Sequence, residues 1–243
     1  RDGKWYTGEK LWDMEFYKAF DPKAVTQVYL EPTDGDHALY PCVTRGGLFG
    51  GGARKPVATL DVVIPAMHGM NGEDGTLQGL FELNNIPYAS AGVMGSSVGM
   101  DKIAMRLLFQ GAGFPVLESC HTDRNRFQTQ REAVLDDIEG KVPYPMFVKP
   151  ANLGSSIGIS KATDRASLAQ ALEVAFHYDR RVLVERGIDC VEINCSAMGF
   201  GEDVEVGLCE QPVTWEQFLT FDEKYLRGVK GGKSQGMKSL SRL

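Results

Sequence analysis

The stretch from Phe147 to Lys161 constrains this chain more than any other. It reads Phe147-Val148-Lys149-Pro150-Ala151-Asn152-Leu153-Gly154-Ser155-Ser156-Ile157-Gly158-Ile159-Ser160-Lys161. A short apolar run ends in a lysine, a turn rich in Gly, Ser and Asn follows, and a second run is rich in isoleucine. The order predicts a hairpin with strands at residues 146–148 and 157–159. It gathers one ammonium, two hydroxyls and several backbone N–H groups into a small volume. Glycine lets the backbone turn sharply and lets a ligand approach it closely. Successive N–H groups in such a turn form a concave anion site. The pattern therefore points to phosphate, and to a nucleoside triphosphate in particular. The plain alternative is a hairpin loop with a solvated lysine, because this composition is common in turns.

The rest of the chain predicts strands and helices around that turn. Residues 25–30 form a short apolar segment, and residues 46–52, rich in glycine without dinucleotide-binding spacing, read as a surface loop. Residues 60–65 read as a buried strand and residues 86–88 as a second, short one. Between them Leu77, Leu80, Phe81 and Asn84 share one face of a helix with two acids near its start. Ser96 or Ser97 is placed to cap a further helix that carries Met100, Ile103, Leu107 and Phe109 and stops at residues 111–113. This alternation predicts a parallel α/β layer. Beyond residue 113 the pattern changes. Asp164 is placed to cap a helix bearing Leu168, Leu172, Ala175 and Phe176. Residues 181–185 read as a strand. Val191, Ile193, Cys195 and Ala197 alternate, as do Val204, Val206 and Leu208, predicting two half-buried strands. Thr214 and Gln217 have capping-box spacing. A domain boundary near Gly113 follows, dividing the chain into residues 1–113 and 114–243.

Composition narrows the function classes. Hydrophobic residues make up 43% of the 243 positions and charged residues 24%, values of a globular protein with room for a sizeable core. No apolar run is long enough to span a membrane. The net charge is −6, and from Lys224 onward every charge is positive (Lys224, Arg227, Lys230, Lys233, Lys238, Arg242), so the rest is more acidic still. An acidic body argues against nucleic-acid binding. The basic, glycine-rich tail reads either as a solvated segment or as a loop that closes over phosphate. The five cysteines are odd in number and include no Cys-x-x-Cys pair, which fits reduced thiols in a cytosol better than disulfides or zinc. Cys190 and Cys195, in strand-like runs, are expected as buried thiols.

A series of motifs carries a resemblance. His68-Gly69-x-x-Gly72-Glu73-Asp74-Gly75-Thr76, then Met100-Asp101-Lys102, the lysine–glycine–serine stretch itself, Val184-Glu185, and Glu223-Lys224-Tyr225 occur in order over residues 60–226. The series resembles the D-alanine–D-alanine ligase family, ATP-grasp enzymes of peptidoglycan precursor synthesis in the cytoplasm. The resemblance implies an α/β (α+β) fold: a partial N-terminal parallel α/β layer followed by ATP-grasp subdomains with mainly antiparallel strands. It implies ATP and magnesium as the cofactors and D-alanine as the substrate. A carboxylate takes the γ-phosphoryl group, and the amine of a second amino acid attacks the acyl phosphate. Such chemistry needs positioning and charge neutralisation.

Residue roles follow from the same resemblance. Lys102 and Lys149 are the phosphate-contacting lysines, as suits a point charge on phosphate. Ser155 and Ser156 stand near the transferred phosphate, and Phe147 faces adenine or else fills the core. Glu185 accepts from the adenine amino group, Arg186 and Ile188 flank it, and Glu192 holds ribose hydroxyls. His68 and Glu73 orient the first substrate. Lys224 and Tyr225 belong to a loop over the site, with Tyr225 joining Ser155 and Glu73 in a hydrogen-bonded catalytic set. That loop argues for an amine acceptor, D-alanine or D-serine. A homodimer is implied. The resemblance also implies that family segments before Arg1 and after Leu243 are missing, the latter with the metal ligands, so that no metal residue is assigned and the chain alone is inactive. Other ATP-grasp ligases, or a nucleotide-binding module without catalysis, are the alternatives.

Overall fold

Trp5 pairs with Val28 and Leu30 with Leu39, so these four side chains share one face of the first sheet of this computed structural model. The structure describes residues 3–42 and 55–212 and the backbone of 239–242. The chain forms two compact units, Arg1–Ser97 and Val98–Leu243. In the first, β1 (Trp5–Thr7), β2 (Thr26–Leu30), β3 (Ala38–Pro41) and β4 (Ala58–Thr59) form an antiparallel meander in chain order. The helix α1 (Thr76–Leu83) packs Phe81 onto Leu30 and Ile86, with Leu77, Leu80 and Leu39 around them. Asn84, fully buried at the helix end, donates through Nδ2 to Glu31 O and to Asp36 O, the latter at 2.9 Å. That side chain ties the helix to the β2–β3 turn.

The expected parallel layer is much smaller than its sequence pattern. Residues 60–65 and 86–88 meet at one parallel bridge, Val63 to Tyr88. Val62 and Ile64 on either side are 57% and 76% exposed. An apolar run is a buried strand only where neighbouring strands cover it, and this run has one bridging partner among the described residues. The four strands of this unit are antiparallel instead.

Two helices follow, α2 (Val93–Met100) and α3 (Lys102–Gly111). Ser96 and Ser97 lie inside α2 and cap neither helix. The cap of α3 is Asp101, whose Oδ1 accepts from Ile103 N–H and Ala104 N–H, both at 3.0 Å. A carboxylate is at least as good an N-cap as a hydroxyl and also meets the positive end of the helix dipole.

The second unit is built on an antiparallel sheet. Its strands β5 (Ser119–Asp123), β6 (Met146–Pro150), β7 (Ser160–Ala162) and β8 (Arg181–Arg186) lie in the order β5-β8-β6-β7. The helices α4 (Arg124–Thr129), α5 (Arg131–Glu139) and α6 (Arg165–Tyr178) accompany it. Asp164 caps α6, as the sequence predicts, and Ser167 completes a capping box with it. One sheet face is apolar: Met146, Val148, Val182 and Val184 are fully buried against Leu168, Leu172, Val134 and Ile138. Each such side chain contributes about 1.5–3 kcal/mol of burial free energy. On the opposite face α3 docks through Ile103 onto Ala151 and Leu183.

Three boundaries differ from expectation. Residues 157–159 belong to the turn, and the second hairpin strand begins at Ser160. Residues 191–196 form no regular strand and are joined by a bridge from Asn194 to Glu210 and by Gly207 N–H donating to Ser196 O, while β9 (Ala197–Phe200) and β10 (Asp203–Val206) form an exposed two-stranded ribbon. Alternation specifies a half-buried strand only where a core lies under one face, and none lies under this ribbon among the described residues. Cys190 and Cys195 are accordingly exposed thiols, not buried ones. Finally, β11 (Glu210–Pro212) pairs with β12 (Ser239–Arg242). The expected loop at residues 46–52 and the capping-box helix at Thr214 lie outside the described residues.

Candidate nucleotide site

The polar face of the second sheet holds a cluster of charge. Burial alternates along β6, so Phe147 and Lys149 point away from the apolar core while Met146 and Val148 point into it. Phe147 pairs with Glu185 in register, which puts both on the same face. Glu185 is 6% exposed. Its Oε1 accepts from Lys149 Nζ, and its Oε2 accepts from Arg106 Nη2. Arg106 also donates to Leu117 O at 3.2 Å. The Lys149 ammonium stands 5.9 Å from the centre of the Phe147 ring. One carboxylate thus serves two cations, one from a strand and one from a helix.

The helix α3 brings Lys102 to the same region. Its backbone N–H donates to Ala151 O at 2.9 Å, and its Nζ donates to Leu153 O, inside the lysine–glycine–serine turn. Burial, with the nearby Lys149 charge adding to it, lowers the Lys102 pKa from its ordinary value. Burial and a like charge nearby both disfavour the charged form of an ammonium group. One residue before, Asp101 pairs with Arg181, so ion pairs to β8 flank Ile103 on both sides along α3.

The turn itself has fixed ends. Asp179 Oδ2 accepts from the backbone and side-chain nitrogens of Asn152 at 2.8 and 3.0 Å, and Oδ1 accepts from Arg181 N–H at 3.1 Å. Partial burial pushes the Asp179 carboxyl up, but these donors outweigh it and hold the pKa below the usual value. Ser155 and Ser156 both have left-handed φ, 54° and 58°. Gly158, at φ 73°, sits where an added Cβ would fall 2.7 Å from Tyr178 Cδ2 and 2.9 Å from Pro150 Cγ. Only glycine satisfies that conformation and that space together.

The other expected residues are placed as follows. Arg186 is exposed and pairs with Glu118 at 3.2 Å. Ile188 is 46% exposed, and Glu192 is exposed on the segment after β8. In the first unit, exposed His68 and Glu73 share one loop. Glu73 donates its N–H to Gly69 O at 2.9 Å and accepts from Gly69 N–H through Oε2. Asp74, one residue before the Gly75 N-cap of α1, accepts from Thr76 N–H at 3.0 Å. Gly75, at φ 89°, leaves room for Ser97 Oγ, which donates to Asp74 O at 2.8 Å. Lys224 and Tyr225 lie outside the described residues. The sequence reading gives no role to Arg106 or Asp179, and holds Asp101 only as a member of the Met100-Asp101-Lys102 motif. Arg106 carried a signal, since it follows Lys102 by four positions and so shares its helix face. Among the described residues no three or more His, Cys, Asp or Glu side chains group as a metal site.

Comparison with known proteins fits this arrangement. Residues 1–91 match the model for "D-ala D-ala ligase N-terminus", and residues 108–238 match "D-ala D-ala ligase C-terminus". The chain belongs to the D-alanine–D-alanine ligase family. It is 48% identical over 172 residues to the D-alanine–D-alanine ligase of Heliobacterium modesticaldum, covering 71% of this chain and 46% of that one. It is 37% identical over 231 residues to that of Enterococcus hirae, covering 93% and 60%. Among solved structures, the VanG D-Ala:D-Ser ligase from Enterococcus faecalis superposes with a TM-score of 0.74 at 32% identity, covering 93% of this chain and 61% of that one. The D-alanine–D-alanine ligase from Coxiella burnetii superposes at 0.64 with 27% identity, covering 86% and 56%. The chain thus spans about half to three-fifths of the length of these ligases, and its α+β architecture is that of the ATP-grasp ligase family.

Proposed function

We propose that this chain is the nucleotide-binding and first-substrate portion of an ATP-dependent carboxylate–amine ligase. That enzyme joins two D-alanines through an acyl phosphate for peptidoglycan precursors. The observation that carries the reading is that Lys102 Nζ donates to Leu153 O inside the 151–158 turn, while Lys149 stands on the strand that leads into that turn. Lys102 and Lys149 would neutralise the phosphates, with backbone donors of the turn and the Ser155 and Ser156 hydroxyls completing the cradle. Phe147, beside Lys149, offers a flat apolar surface for a base. Glu185 has lone pairs left after its two cations and would accept from an amino group. Arg186, Ile188 and Glu192 continue the wall toward the ribose. His68 and Glu73 would orient the first D-alanine, with Lys224 and Tyr225 covering the site. We assign residues 1–113 to the N-terminal domain and 114–243 to the ATP-grasp domain, with magnesium, a homodimer and a cytoplasmic setting as in the family reading. No helix of the described residues is long and apolar enough to cross a membrane.

The test is an intact ligase carrying this chain, assayed for phosphate release with ATP and each amino acid. D-Alanine should support turnover, and Lys102→Ala or Lys149→Ala should each lower kcat/KM on the order of 100-fold, as for loss of one charge-stabilising donor. Full activity in both variants would refute the site. The similarity to a D-Ala:D-Ser ligase supports a second reading, D-serine as acceptor. Release with D-serine but not with D-alanine as second substrate would select it.

A further inference from the structure

Cys195 and Cys209 face each other across neighbouring strands. Asn194 and Glu210 form an antiparallel bridge and exchange both backbone hydrogen bonds, at 2.8 and 2.9 Å. The adjoining pair is Cys195 and Cys209. In an antiparallel ladder the position beside a doubly bonded pair is a non-hydrogen-bonded one, with Cα atoms about 4.5 Å apart and side chains on one face. Disulfides span Cα separations of roughly 4.4–6.8 Å, so the backbone already suits the bond. The register then slips by one residue, since Gly207 N–H donates to Ser196 O at 2.7 Å while Val206 pairs with Ala197. The cysteines therefore sit at the last regular rung before a bulge.

Hydrogen bonding with the Cys209 thiol is the main reason that the Cys195 thiol is held above its ordinary pKa. Cys195 Sγ also lies 3.5 Å from Gly207 O. Cys195 is exposed and Cys209 half-buried, and all five cysteines are free. A solvent-facing thiol with a second thiol opposite it on the same rung can form a mixed disulfide that the second thiol resolves, and the raised Cys195 pKa makes the first step slow at neutral pH.

We propose that Cys195 and Cys209 form a reversible dithiol–disulfide site, oxidised by low-molecular-weight disulfides of the glutathione type. One thiolate attacks the small disulfide, forming a mixed disulfide and releasing one small thiolate. The partner cysteine, losing its proton, attacks the protein sulfur of that mixed bond. The intramolecular S–S bond forms and the second small thiol leaves. Two protein thiols lose two electrons and two protons, and the small disulfide gains them. In a reducing compartment the bond is transient, formed when the glutathione pool is oxidised. The site lies three positions beyond Glu192 and does not depend on the ligase reading.

The experiment treats the 243-residue chain with oxidised glutathione, blocks residual thiols and maps disulfides by peptide mass spectrometry. The expected result is a Cys195–Cys209 cross-link about tenfold over any other pairing, because facing positions on one rung raise the effective concentration of the resolving thiol. Cys209→Ser should replace the cross-link by a persistent glutathione adduct on Cys195, and Cys190→Ser should leave the cross-link intact. Unfolding in urea before oxidation should scatter the pairing over all five cysteines. A stable adduct on Cys195 in the unsubstituted chain, a Cys190–Cys195 bond in its place, or the same cross-link yield from unfolded chain would each overturn the proposal.

Discussion

Replacing Glu185 by glutamine keeps shape and burial but removes the charge that two cations share. The side chains of Glu185, Arg106 and Lys149 are 8%, 16% and 24% exposed. Removing one partner of a fully buried pair costs about 3–5 kcal/mol, because a charge is left uncompensated. Exposed pairs are worth about 0–1 kcal/mol. Lys149 keeps a quarter of its surface in water and can rehydrate, whereas Arg106 is more enclosed. The expected cost of Glu185→Gln is therefore about 2–4 kcal/mol. Native-state hydrogen exchange reads it locally, on the amides of β6 and β8. At about 1.4 kcal/mol per tenfold, these amides should exchange roughly 30- to 1000-fold faster. Adding Arg106→Gln removes one stranded cation, so the double variant should be less destabilised than the sum of the two singles. Unchanged exchange in Glu185→Gln refutes the argument, as does additivity within about 0.5 kcal/mol for residues in direct contact.

Three further outcomes are expected. Asp101→Ala removes the cap of α3 and the partner of Arg181, and should lower stability by about 1–2 kcal/mol as a reduced urea midpoint with unchanged slope. Gly158→Ala places a Cβ against Tyr178 in a left-handed residue, and should cost at least about 2 kcal/mol, seen as a lower melting temperature. Asp179, with its pKa depressed in the fold, contributes stability that is complete above the ordinary carboxylate range and is lost as pH falls through the folded value. Asp179→Asn should flatten the acid limb of an unfolding-versus-pH curve, and an unaltered limb would assign that stability to other groups.

Local signals were legible where one residue decides the matter. Asp164 announces α6 because a carboxylate before an apolar helical stripe has few other uses, and Lys149 at the end of an alternating strand shows that its side chain leaves the core. Ser96 and Ser97 misled because a hydroxyl suits a cap on composition alone, while Asp101, the residue that caps α3, was read only as part of a motif. Residues 60–65 and 191–197 misled for another reason. Their periodicity states what a strand would bury, and whether a neighbour exists to bury it is a property of the whole fold. The sharing of Glu185 by Arg106 and Lys149 joins positions 106, 149 and 185, and no local pattern encodes such a meeting.

The strand order β5-β8-β6-β7 has a consequence for how the chain is made. The central strand β8 is synthesised last, after both strands that flank it. On the ribosome only the β6–β7 hairpin can close early. β5 waits with an unpaired edge, and the helices wait without a complete sheet to cover. Glu185 arrives with the final strand, so Arg106 and Lys149 remain solvated until then. Closure of the sheet and neutralisation of its charged face become a single late event, and a ribosome stalled before residue 186 would hold a nascent chain that has its lysines but not the fold that aims them.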